Sequence, residues 1–306
     1  MNFVTLLNAM PGAIAQGLIW GIMAIGLYIT YKVLDYSDLT VDGTMATGGA
    51  VCIMLMINGV NVWVALICSV IAGMLAGLVT GLFHTAMGIP PILAGILTQL
   101  SLYSINLTIM GGKANQAVSV TKYDLIVSSR YVRELSIQNP IFITLIFIVV
   151  LIAILYWFFG TELGCSLRST GANEAMSRAQ GINTSLSKIL GLMIANGIVA
   201  LASAMYSHYQ GFVDVNMGRG AIVIGLASVI ISDVIFGRLF SNFALKLFAV
   251  ALGAVIYYIV IQIVLWLGLD TNLLKLLSAL IVALFLALPY WKGKFYSSRK
   301  GGRSRA

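Results

Sequence analysis

Residues 43–112 read GTMATGGAVCIMLMINGVNVWVALICSVIAGMLAGLVTGLFHTAMGIPPILAGILTQLSLYSINLTIMGG and contain no Asp, Glu, Lys or Arg. A membrane-spanning helix needs about 20 predominantly apolar residues, so this one interval has room for about three. The rest of the chain has the same character. Of 306 residues, 60% are hydrophobic and 9% charged, with a mean hydropathy of +0.99, against roughly a quarter charged in soluble domains. A soluble globule is excluded. So is an outer-membrane barrel, whose strands alternate apolar and polar residues, because VLIAILYWFF (150–159) and LLSALIVALFLALPY (276–290) are unbroken apolar blocks. The fold class is therefore an all-α polytopic membrane protein.

Cutting the apolar blocks at charged and turn-rich stretches predicts nine spans, near 8–31, 43–58, 60–83, 90–110, 140–160, 188–208, 218–237, 243–267 and 272–290. Segments 43–58 and 218–237 either span fully or enter as broken helices. The first run lacks a basic stretch ahead of it and a small-residue cleavage site, and is read as a retained span, not a signal peptide. A single membrane domain is expected over 1–290, with a loop at 161–187 and a basic tail at 291–306. The net charge of +8 is topological, not a nucleic-acid signature: an outside N-terminus and inside C-terminus place twelve of the 18 Lys/Arg on the inner side. Membrane lipid is the implied surroundings.

V41-D-G-T-M45-A-T-G48-G-A-V51 and V213-D-V-N-M217-G-R-G220-A-I-V223 share five identities. They follow the first and sixth predicted spans. An offset of five spans makes two halves, near 8–110 and 188–290, antiparallel, as in inverted-repeat transporters, with a pathway between them. The alternative is chance likeness of two glycine-rich helix starts. G73-M-L-A-G77 with Gly81 makes a small-residue face for close helix approach.

The loop F159-G-T-E-L-G-C-S-L-R-S-T-G-A-N-E-A-M-S-R-A-Q-G-I-N183 encodes a short capped helix. Asn173 is the N-cap, Glu174 lies in the first turn, Arg178 follows at i+4, and Gly181 supplies a left-handed C-terminal residue. Ala175, Met176 and Ala179 form a small apolar surface that fits a cleft on a cytosolic partner or rests on the membrane. The longest loop of the other side, 111–139, is either an ordered cap or a solvated connector.

Polar residues within spans are costly unless satisfied. Gln99, Tyr103 and Asn106, spaced by four and three, share one helix face and either line a passage or make interhelical hydrogen bonds. Met45, Met217 and Tyr103 suit an apolar or aromatic solute, or are packing. Asn196 and Gln262 read as structural. Asp42 and Asp214 cap the starts of their helices, Asp214 alternatively meeting a solute ammonium or a partner's cation at the outer mouth. Asp233 has Arg238 five residues on as a possible ion partner.

Catalysis and bound metal are not expected. His84 and His208 fall at opposite sides with no carboxylate pair, and Cys52, Cys68 and Cys165 lack metal-ligand spacing. G111-G-K113 is not a phosphate-binding loop, lacking both the first spaced glycine and a following Ser/Thr.

The stretch G164-C-S-L-R-S-T-G-A-N-E-A-M-S-R-A-Q-G-I-N183 resembles the coupling-loop signature of ABC importer permeases of the branched-chain amino acid type. G17-L-I-W-G-I-M-A-I-G26 with D38-L-T-V-D-G-T-M-A-T-G-G49 also looks like the start of that family. G81-L-F-H-T85, I92-L-A-G-I-L-T98 and L102-Y-S-I-N-L-T-I-M-G-G-K-A-N115 resemble its tryptophan/tyrosine import permeases. The resemblance covers nearly the whole chain. It implies a permease of the bacterial cytoplasmic (inner) membrane, acting as a homodimer with two ATP-binding subunits and an extracytoplasmic substrate-binding protein. It further implies that Arg168, Gly171, Glu174, Ala175, Ala179 and Gly181 couple to the ATPase, with Arg178 holding Glu174. No cofactor would bind this chain; ATP and Mg would sit on the partner subunit. The expected cargo is an aromatic or other hydrophobic amino acid, with branched-chain amino acids, a nucleoside or a short peptide as alternatives. A competing reading, an ion-driven secondary transporter, expects a coupling carboxylate deep in a span.

Overall fold

The computed structural model describes residues 3–268 apart from 120–122, 124, 135, 137 and 238, and beyond them 273, 276, 278–280, 282–284 and 287. The expected tail, 291–306, lies outside the described residues, as do Arg238 and most of the expected ninth span, 272–290.

Among the described residues up to 268, ten α-helices follow one another: α1 (Phe3–Tyr28), extended by a π-helical turn (Ile29–Val33), α2 (Val41–Ile57), α3 (Val62–Thr85), α4 (Pro91–Ile109), α5 (Pro140–Phe159), α6 (Glu162–Ala172), α7 (Glu174–Ala179), α8 (Thr184–Gln210), α9 (Ala221–Phe236) and α10 (Phe243–Trp266). Two three-residue strands, β1 (Asn115–Ala117) and β2 (Phe212–Asp214), pair antiparallel with Asn115 opposite Asp214. This ribbon joins the loops that leave α4 and α8.

Six helices among the described residues are long and apolar enough to cross a membrane; α2 and α9, with 17 and 16 residues, are shorter. The expected count of nine spans is therefore not reproduced among the described residues. Runs 43–58 and 218–237, left open between full spans and broken helices, form these two shorter helices. Both of these helices start inside the bundle. A Cβ on Gly43 would press on Gln99 and Leu102, well along α4, and Thr44 Oγ1 donates to Asn196 Oδ1, well along α8, at 2.7 Å.

Burial follows the same plan. α1 is enclosed along most of its length, with Ile22, Met23, Ala24 and Ile25 fully buried, so it is the central helix of the bundle. α5 turns Ile146, Val149, Val150 and Trp157 outward, a belt of large apolar side chains suited to lipid contact. α3 packs on α8 along the small-residue face legible in the sequence. A Cβ on Gly73, Gly77 or Gly81 would meet the backbone of Asn196, Leu192 or Ile189 respectively. Backbones this close gain van der Waals contact that no side chain could supply. Ser69 Oγ adds a hydrogen bond to either Gly48 O at 2.9 Å or Ala200 O at 3.1 Å, tying α3 to α2 or α8.

Candidate functional site

Two regions carry the unusual chemistry. The first is the junction where the starts of α2 and α9 meet. α9 follows Gly220, whose φ of 91° admits no side chain without strain, so it has no side-chain cap of its own, although Ala221 N–H reaches Gly218 O at 2.9 Å. Asp42, on α2, supplies one from across the bundle: Oδ2 accepts from Gly220 N–H and Oδ1 from Ile222 N–H, both at 3.1 Å. Asp42 therefore caps α9, not α2, which corrects the local capping expected of it. α2 is served by Asp38, whose Oδ1 accepts from Thr40 N–H at 2.9 Å. Asp38 is buried, and its Oδ2 accepts from Asn196 Nδ2 at 2.7 Å. Among the described residues neither carboxylate has a cationic partner; the partial positive charge at two helix N-termini takes that place.

The junction is closely packed. A Cβ on Gly218 would collide with Asp42 O and Met45 Cβ. Ser203 Oγ donates to Met45 O, and a hydroxyl chain links α2, α3 and α4 through Thr40, Thr80 and Thr98, with Oγ1 separations of 2.7 and 2.9 Å. An apolar cavity of about 220 Å³ opens beside it, lined by Leu27, Thr30, Tyr31, Tyr36, Asp38, Leu39, Ile92, Ile222 and Leu226 among others.

The structure separates the residues expected to line a passage. Gln99 is half-buried beside Gly43, Tyr103 is 43% exposed, and Asn106 is fully buried with Nδ2 donating to Gly43 O at 3.5 Å. The three occupy one helix but not one environment. Met45 is buried at the junction; Met217 is half-buried with Sδ 3.9 Å from Ser207 Oγ. Asp214 sits in the β-ribbon, and its Oδ1 accepts from Asn216 N–H at 2.6 Å. His208 pairs with Cys52 at 3.3 Å, whereas His84 lies 3.4 Å from Lys188 Nζ.

The second region is 161–187, where the expected loop holds two helices. Arg168 and Gly171 belong to α6, and Glu174, Ala175, Arg178 and Ala179 to α7. The cap reads as anticipated. Asn173 Oδ1 accepts from Met176 N–H at 3.0 Å, and Gly181, at φ 82°, lets Ile182 N–H close on Ser177 O at 3.0 Å. Glu174 holds Arg178 at 2.8 Å and, unanticipated, Lys188 of α8 at 2.8 Å. The hydrogen bond from Lys188, ahead of the attraction of both cations, holds the Glu174 carboxyl below its ordinary pKa. Ser169 and Ser177 hydroxyls, 2.7 Å apart, tie α6 to α7. A Cβ on Gly171 would strike Val33 O, so α6 lies directly against the end of the π-helical turn. Ala175, Met176 and Ala179 are all exposed. At the same end Asp233 pairs with Lys32 at 2.8 Å, a partner on another helix; Arg238, the local partner considered from the sequence, lies outside the described residues.

Six long apolar helices packed around an interior junction of two shorter ones mark an integral membrane protein. Residues 10–288 match the family model described as branched-chain amino acid transport system / permease component, and the chain belongs to that family. It is a family of transport components, not of enzymes. A tyrosine transport system permease protein of Clostridioides difficile (strain R20291) is 38% identical over 281 residues, covering 92% of this chain and 91% of the relative. An uncharacterized protein of Rickettsia prowazekii (strain Madrid E) is 34% identical over 287 residues, 92% and 97% of the two chains. More distantly, the ribose import permease protein of Escherichia coli (strain K12) is 25% identical over 230 residues, 75% and 70% of the two.

Proposed function

We propose that this chain is the membrane-spanning permease of an ATP-driven importer for an aromatic amino acid, set N-out and C-in in the bacterial cytoplasmic membrane. It works as a homodimer with a separate ATP-binding subunit, which carries ATP and Mg, and with an extracytoplasmic binding protein. The observation that carries this reading is α7: a six-residue helix capped at both ends, clasped to α8 through Glu174 and Lys188, and presenting Ala175, Met176 and Ala179 to a partner. A helix too short to persist alone, fixed this firmly with its small apolar face outward, suits a cleft on a motor subunit.

The cargo reading draws on the named tyrosine permease and on the chemistry beside the junction, where Tyr31 and Tyr36 and several aliphatic side chains line the cavity. Gln99, Tyr103, Met45, Met217 and Asp214 are retained as candidate passage residues; Asn106, fully buried, supports the α2–α4 contact instead. The meeting of α2 and α9 at their N-termini also supports an inverted repeat.

Ion-driven transport is favoured by one observation, the burial of Asp38. Its oxygens are nevertheless engaged by Thr40 and Asn196, which suits a fixed cap better than a site that must load and unload a cation. Co-expression of the permease with its ATP-binding subunit, comparing wild type with Ala179→Arg, tests the proposal. Ala179→Arg is expected to lower ATPase capture and tyrosine uptake at least tenfold while the melting temperature of the permease is unchanged. Full capture and uptake in that variant would refute the docking role, and uptake that follows a proton gradient without ATP would favour the ion-driven reading.

A further inference from the structure

At the end of the bundle formed by the π-helical turn, α6, the end of α9 and the start of α10, two adjoining cavities of about 350 and 380 Å³ share Tyr28, Lys32 and Lys246. Arg168 lines the first and Asp233 the second. Among the described residues, three cations thus converge from three separate elements on a space that holds one carboxylate. Lys32 is already paired with Asp233. Arg168 lies over the Phe243 ring, 5.6 Å from its centroid, and Nη1 donates to Phe159 O at 3.2 Å, leaving further guanidinium N–H groups available. Lys246 is exposed and has no ion partner among the described residues.

The surroundings of these cations are apolar. Phe236 and Phe240, stacked at 5.6 Å, line the second cavity, and Phe243 lines the first. Ile235, Leu239 and Leu245 stand exposed on the flanking segments, Leu239 at 73%. Cationic heads and aromatic rings gathered at helix ends, beside exposed aliphatic side chains, match a ligand with an anionic head and hydrocarbon tails. A soluble acidic partner would answer the charge but not the aliphatic flank.

We infer that this cavity pair holds the phosphate of an anionic phospholipid between Lys246 and Arg168, with the acyl chains running along the exposed sides of α9 and α10. The Lys32–Asp233 pair forms the floor of the site, and Asp233 retains an acceptor for headgroup hydroxyls. The site shares Arg168 and Gly171 with the expected coupling element but needs no ATP-binding subunit, so lipid retention by the permease alone is read separately from transport.

The test uses the full-length permease in mild detergent, supplied with dioleoyl phosphatidylglycerol or dioleoyl phosphatidylcholine and read by native mass spectrometry for lipid retained. The expected result is retention of phosphatidylglycerol over phosphatidylcholine, weakened about fivefold in Lys246→Gln. Lys246→Arg should preserve retention, and so should Lys113→Gln, in the loop between α4 and α5. Equal retention of the two lipids, or no effect of Lys246→Gln, would overturn the inference. Displacement of the lipid by inorganic phosphate in equimolar amount would show a site for a free anion instead. Unchanged lipid retention in Lys246→Gln with reduced capture of the ATP-binding subunit would assign the cations to that protein and likewise overturn the lipid site.

Discussion

Two helix N-termini show how differently one chain solves one problem. α7 is capped from three residues away, by Asn173, in a segment open to water. α9 is capped from 178 residues away, by Asp42, at a half-buried junction within the bundle. Water can satisfy a frayed N–H at α7, so a neutral cap worth about 1 kcal/mol is enough there. Where water is scarce the free N–H groups are far more costly, and the chain places a charged acceptor against them from another helix. The lesson is that a cap's reach in sequence follows the solvent around the helix start: local where failure is cheap, long-range where it would break the fold.

The comparison breaks most sharply at Asp42. Asp42→Ala strands two N–H groups and is expected to remove roughly 2–4 kcal/mol, seen as loss of monodisperse protein in size-exclusion chromatography of membranes solubilised in detergent. Asp42→Asn, which can still accept, should fall between. If Asp42→Ala is as stable as wild type, the long-range cap is not needed and the contrast with α7 fails.

Glu174→Lys comes next. It replaces the contacts to Arg178 and Lys188 by repulsion, yet exposed ion pairs contribute only about 0–1 kcal/mol, so the melting temperature should barely move. ATPase capture and uptake should fall together, because α7 loses its clasp to α8. If both are unchanged, the clasp is not part of coupling.

Asn173→Ala sharpens the local side of the contrast. About 1 kcal/mol, confined to α7, should raise amide exchange there about fivefold and leave α8 and α9 protected. Acid should give the smallest effect. Because the Glu174 carboxyl is held below its ordinary value, its contribution is complete above that value and disappears as pH falls through the lowered one. Docking of α7 should be flat from pH 8 to 6 and loosen only once the pH has fallen below the ordinary glutamate range, as read by labelling of a Met176→Cys variant.

The same division separates what the residues reveal in order from what they conceal. α7 is legible: Asn173, Glu174, Arg178 and Gly181 occupy consecutive positions of a known capping pattern, and each behaves accordingly. So does the face of Gly73, Gly77 and Gly81, although its partner, α8, lies more than a hundred residues on. The contacts that escaped reading are between helices: Asp42 with α9, Asp38 with Asn196, Lys32 with Asp233, Glu174 with Lys188. Asp233 shows why. A local partner was sought at Arg238 because helical spacing was the only ruler at hand, whereas packing brought Lys32 to it. Asp38 did leave a trace, the Asp-x-Thr spacing ahead of an apolar run that marks a helix start. Whether α2 and α9 cross fully was left open by the sequence for the same reason, since composition does not record the depth at which a helix begins.

The Lys188 contact has a mechanical consequence. Lys188 lies in the first turns of α8, a continuous helix of 27 residues, roughly 40 Å from end to end. Its far end turns at Gly211 into β2, which is laced to β1. A load applied to α7 through Glu174 is therefore delivered to the butt of a single strut. Glycine contacts leave little slack between that strut and α3, and its tip carries the ribbon at the opposite face of the protein. The bundle contains a pushrod whose two ends lie at opposite faces of the protein.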